Sequence, residues 1–106
     1  METCKGYIES INPMEVDYGP GFRILVILSS KDYKIELTPN QLIDRIRKFR
    51  PYIEGVTFMG DIDLQAEFVL EELKLCKKAG FPTALKLDDG DKEKIEDMHD
   101  YVDIFI

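Results

Sequence analysis

An α/β domain on a parallel sheet is what this sequence predicts, either a partial (βα) barrel or an open sheet, with about four strands and three helices. Three observations carry that expectation. Apolar, β-branched runs alternate with segments of helical periodicity, and strand–helix–strand order implies parallel pairing through right-handed crossovers. Residues 22–28 are almost continuously apolar, as a strand covered on both faces reads. The segments between the strands carry helix start and stop signals. With 106 residues, 44% of them hydrophobic, the chain suits one core and one domain spanning residues 1–106.

The elements follow in order. Residues 6–11 alternate weakly and predict a short leading strand or hairpin arm. Residues 14–21 read as loop, with Pro20 between two glycines. After the first apolar strand, Thr38 is placed to cap a helix, Pro39 suits its first position, and Gln41 completes a capping box. Leu42, Ile43, Ile46 and Phe49 form its apolar stripe, and Pro51 ends it. Residues 55–59 are the second buried strand. Asp61 or Asp63 is expected to cap a long helix whose stripe is Ala66, Val69, Leu70, Leu73 and Cys76, widened by Phe68, Leu75 and Ala79. Gly80 stands where a left-handed C-cap belongs. Residues 83–87 are a third strand, residues 88–91 a turn, and Asp91 caps a short helix running to Met98. Residues 101–106 are a fourth strand.

Bulk properties exclude several functions. The net charge of −7 opposes nucleic acid and anionic membranes, since phosphate binding needs clustered Lys and Arg. Arg45, Arg47, Lys48 and Arg50 do cluster, and read as a solvated helix face. No apolar run approaches the roughly 20 residues of a membrane helix, and residues 1–5 lack a signal-peptide core. Cys4 and Cys76 are far apart, with no CxxC pattern, so zinc and iron–sulfur ligation lack sequence support. Free thiols without a disulfide framework fit a cytoplasmic protein.

A longer match sits in the middle of the chain. Val56-Thr57-Phe58-Met59-Gly60-Asp61-Ile62-Asp63, then Leu64-Gln65-Ala66-Glu67-Phe68 and residues 75–85, resemble the central stretch of radical-SAM activating enzymes. Asp17-Tyr18-Gly19-Pro20-Gly21-Phe22-Arg23 is similar to the family's opening motif. These enzymes activate anaerobic ribonucleotide reductase and pyruvate formate-lyase. The resemblance covers residues 6–106, about the N-terminal half of an activase barrel. Between the two matches the family carries a CxxxCxxC loop that holds a [4Fe-4S] cluster. Here residues 28–34, LSSKDYK, run almost directly into the next helix.

The resemblance thus implies a fold and an ancestry without the ancestral chemistry. The family's "GGE" motif binds S-adenosylmethionine, and Gly60-Asp61-Ile62 stands in its place. Gly60, Asp61 and Asp63 are the cofactor-binding candidates, for weak S-adenosylmethionine binding without an iron–sulfur cluster. In α/β sheets ligands sit at the carboxyl ends of strands, an edge that would also present Ser29, Ser30 and Asp32. Carboxylates suit a divalent cation, so Asp61, Asp63, Asp88 and Asp89 are the metal candidates; helix capping by Asp61, Asp63 and Asp91 is the competing reading. His99, the single histidine, reads as a solvated residue near a helix end. No catalytic nucleophile and base can be assembled. The resemblance puts the equivalent of Arg23 near the active-site rim.

Three functions stay open on the sequence: a non-catalytic binding or regulatory domain, an activating component for a ribonucleotide reductase with cluster ligands from another chain, and a carboxylate-based metal-dependent enzyme. The expected partners are a glycyl-radical enzyme such as anaerobic ribonucleotide reductase, or a second copy of the chain. The strand at residues 101–106 ends the chain, and it is expected to leave an open edge there.

Overall fold

The computed structural model describes residues 4–87 and 95–106. Its strands are β1 (Gly6–Glu15), β2 (Arg23–Leu28), β3 (Ile35–Leu37), β4 (Gly55–Gly60), β5 (Thr83–Leu85) and β6 (Ile104–Phe105). The helices are α1 (Pro39–Arg47) and α2 (Ala66–Lys78), with 3-10 segments at Arg50–Tyr52 and Ile95–Tyr101. All six strands form one open sheet in the order β3-β1-β2-β4-β5-β6. The run β2-β4-β5-β6 is parallel, as expected, and β1 is antiparallel to both β2 and β3.

The expected four strands become six for two reasons. The leading segment runs on through Pro13 and Met14 to Glu15, across register breaks that the weak alternation hid. Proline is tolerated in a strand at such a break, and Met14 there takes the left-handed φ of 67°. β3 is only Ile35-Glu36-Leu37, too short for periodicity to reveal, and is formed by pairing with Gly6, Tyr7 and Ile8.

The two helix starts differ. Thr38 and Gln41 do form the capping box: Gln41 N–H donates to Thr38 Oγ1 at 3.2 Å, and Thr38 N–H donates to Gln41 Oε1 at 2.9 Å. Neither Asp61 nor Asp63 caps α2. That helix begins after Gln65, which makes no side-chain capping bond. The buried stripe of α2 is Phe68, Val69, Glu72, Leu73 and Cys76. Val69, Leu73 and Cys76 hold the expected face and Phe68 widens it, while Ala66, Leu70, Leu75 and Ala79 are only partly buried. Asp91 lies outside the described residues. The end of that helix is 3-10 and continues to Tyr101, so the last strand begins at Ile104 rather than at residue 101.

Side chains alternate across a strand. Ile24, Val26 and Leu28 of β2, with Val56 and Phe58 of β4 and Leu85 of β5, join the helices in one core. Leu25, Thr57 and Ala84 are buried on the opposite face. Arg23 belongs to that second face, at the amino ends of the parallel strands, and is 1% exposed. Its Nε donates to Thr57 Oγ1 at 3.0 Å, Nη1 to the Pro20 carbonyl at 3.1 Å, and Nη2 to the carbonyls of Pro82 at 3.3 Å and Val56 at 3.4 Å. Thr57 in turn donates to the Tyr18 carbonyl at 2.6 Å. Burial lowers the Arg23 pKa, opposed by the charges of Asp103 and Glu54. Gly55 leaves the room this needs, since a Cβ there would stand 2.5 Å from Arg23 Nη2.

Removing one member of such a buried polar group strands the others without water. Arg23→Met is therefore expected to destabilise the domain by about 3 kcal/mol, and Thr57→Val by about 1 kcal/mol. Urea unfolding checks both. A loss within error for Arg23→Met would show that the guanidinium contributes nothing net.

Candidate functional site

The carboxyl ends of β2 and β4 meet at one point. Leu28 pairs with Gly60 at the end of the parallel ladder. Gly60 has a φ of +98°, and a Cβ there would fall 2.1 Å from the Leu28 carbonyl oxygen. Only glycine fits such a conformation at that approach. The chain then turns sharply: Asp61 N–H donates to the Leu28 carbonyl at 2.9 Å, and Ile62 N–H to the Gly60 carbonyl at 2.8 Å. Ile62 drops into the core while Leu64 stands 77% exposed.

Two side chains from this turn hold the neighbouring loops. The Asp61 carboxylate accepts the Ser30 N–H at 2.7 Å. Gln65, 7% exposed, binds the backbone of Tyr7 on both sides: its Oε1 accepts the Tyr7 N–H at 2.8 Å and its Nε2 donates to the Tyr7 carbonyl at 3.0 Å. The same Nε2 reaches Ser30 Oγ at 3.4 Å. Ser29 N–H also donates to the Tyr7 carbonyl, at 3.0 Å, and Ser29 Oγ accepts the Asp32 N–H at 2.9 Å. The start of β1, the β2–β3 link and the β4–α2 turn are thus tied together. A cavity of about 180 Å³ opens beside them, lined by Cys4, Lys5, Tyr7, Ser30, Leu64 and Gln65 among others.

Of the candidates named from sequence, Gly60, Asp61 and Asp63 lie together in this turn, half-exposed. Asp88, Asp89 and Asp91 lie outside the described residues. Among the described residues no three His, Cys, Asp or Glu side chains are grouped to hold a metal ion. Asp61 is committed to the Ser30 N–H, in place of the helix cap expected of it. Cys4 lines the cavity, with its thiol pushed up by burial and then by Glu67. Cys76 is buried on α2, away from the turn. His99 is exposed and stacks on Phe105, with ring centroids 4.9 Å apart. Arg23 and the Gly19-Pro20-Gly21 turn sit at the amino ends of the strands, so Arg23 is not at this rim. Sequence reasoning passed over Gln65 and Tyr7, because a glutamine preceding a helix gives no signal of binding a strand 58 residues away.

No family model matches the chain. It is 34% identical over 100 residues to the pyruvate formate-lyase-activating enzyme of Clostridium pasteurianum, a match covering 76% of this chain and 42% of that enzyme. The chain thus spans less than half the length of the relative it matches. This similarity supports a relationship to the radical-SAM activating enzymes in general. No helix among the described residues is long and apolar enough to cross a membrane.

A charged acceptor on a backbone N–H contributes about 1.5 kcal/mol. Asp61→Asn is expected to destabilise the domain by about that much and to raise amide exchange at Ser30. Unchanged exchange there would show that the carboxylate does not hold the β2–β3 link.

Proposed function

We propose that this chain is a binding or regulatory domain of activase descent that generates no radical itself. The observation that carries this reading is the link between β2 and β3. Residues 29–34 contain no cysteine, and they are pinned to the turn at Asp61 and to the start of β1. A cluster of the activase type needs three thiolates. The chain has two cysteines, one buried in the core on α2 and one at the edge cavity, a donor set that does not fit. The match to the activating enzyme supports the activase descent in this reading.

Within this reading, a small ligand or cation binds over Gly60, Asp61 and Asp63; Asp88 and Asp89, the other candidates, lie outside the described residues. S-adenosylmethionine would bind there weakly and stay intact. Calorimetry with Mg²⁺ and with S-adenosylmethionine on wild type and Asp61→Asn locates such binding. The partner is a glycyl-radical enzyme, the class on which the relative named above acts.

Anaerobic reconstitution with iron and sulfide is expected to leave the protein colourless and unable to cleave S-adenosylmethionine. A stoichiometric brown species that cleaves it would sink this reading and favour an activating component instead.

Assembly is the second test. β6 is a sheet edge, and Phe105 and Ile106 beside it are 39% and 46% exposed. Large apolar groups at an open edge favour association, and we expect a homodimer or a complex with the partner through this side. Sedimentation of wild type at micromolar concentration should show the dimer, and Phe105→Glu should weaken it. A monomer whose Phe105→Glu variant behaves identically, with or without the partner, excludes the interface.

A further inference from the structure

α2 carries a buried acid that the proposed function does not use. Glu72 is 0% exposed, and neither carboxyl oxygen has a hydrogen-bond partner. It lies on the helix face that packs into the core, with Phe68, Val69, Leu73 and Cys76. A buried carboxyl without a partner is costly to ionise.

Among the described residues nothing charged on the packed elements compensates it. On α1, Asp44, Arg45 and Arg47 are exposed, and in the 3-10 segment packed on α2 so are Glu96, Asp97, His99 and Asp100. β5 has no ionisable side chain. Glu67, Glu71, Lys74, Lys77 and Lys78 of α2 itself are exposed or half-exposed. Burial is the one cause that moves the Glu72 carboxyl, which it pushes up to about 9 from 4.5. The group that feels it is Cys76, one turn on, whose thiol is raised by burial and then by Glu72.

We propose that α2 is a pH-sensitive latch: ionisation of Glu72 releases the helix from the sheet as a unit, exposing Cys76 while the central strands stay paired. α2 begins directly after Gln65, so the same release frees the clamp on Tyr7. The sign follows from proton binding. The packed helix holds a proton that the released helix gives up. Release is therefore suppressed below pH 4.5 and grows about tenfold per pH unit as the pH rises toward 9.

Cys76 is a built-in reporter. Labelling with an aromatic disulfide, followed by peptide mapping, separates it from Cys4 in the wild-type chain. Below its own pKa a released thiol reacts about tenfold faster per pH unit, because the thiolate is the nucleophile. Release through Glu72 adds a second tenfold, so the wild-type rate should climb about a hundredfold per pH unit between about pH 6 and 8. Glu72→Leu and Glu72→Gln should each climb only about tenfold. Equal slopes in wild type and either folded variant overturn the latch. Hydrogen exchange provides the second readout: α2 amides should lose protection with rising pH while β4 amides keep theirs. Simultaneous loss in both elements means global unfolding and also overturns the proposal.

Discussion

The buried guanidinium of Arg23 is the constraint on which the parallel part of the sheet depends. It joins the turn before β2, the side chain and backbone of β4, and the residue entering β5. These segments are distant in sequence and would otherwise be related only through crossover connections. A planar donor group with five N–H bonds can satisfy several carbonyls at once. It therefore fixes the relative height of three strands at their amino ends. Nearby, Asp103 accepts from the Thr83 N–H at 2.8 Å and from Lys77 at 2.6 Å, bringing the entry to β6 and the end of α2 to the same end of the sheet. The Lys77 hydrogen bond and then that from Thr83 hold the Asp103 carboxyl below its usual range.

The two ends of the sheet are consequently organised differently. At the amino end the buried Arg23 guanidinium and Thr57 spend their hydrogen bonds within the fold. At the carboxyl end the side chains of Asp61 and Gln65 tie neighbouring loops together beside a cavity. This matches the general division in α/β folds, where stability gathers at the amino ends of the strands and ligands at the carboxyl ends. It also explains why the glycine-rich turn and the Gly60 turn, both prominent in the sequence, serve different ends.

Much of the architecture was legible because it rests on local signals. The capping box at Thr38 and Gln41 and the apolar runs of β2 and β4 each appear where the sequence places them. The parallel order followed from their alternation with helices. What escaped was set by tertiary pairing. β3 exists through its ladder with β1, and β1 extends past Pro13 because a register break accommodates the proline. The α2 stripe read from apolar residues leaves out Glu72, which packing places inside. For the candidate site, the motif points to Gly60, Asp61 and Asp63 but not to the bond that Asp61 makes, since a hydrogen bond to Ser30 across 31 positions has no local signature. Gln65 was missed for the same reason.

Because strand side chains alternate, moving β1 one residue along β2 would turn Ile8 out of the core. The Gln65 clamp grips the backbone of Tyr7 alone, and a slide would offer it the N–H and carbonyl of a neighbour pointing the other way. At the far end, Pro13 has no N–H to give to a shifted ladder, and the left-handed Met14 fits only beside a break. The hairpin is thus gripped at both ends, and the N-terminal strand works as a ruler that admits a single alignment of the sheet's antiparallel margin.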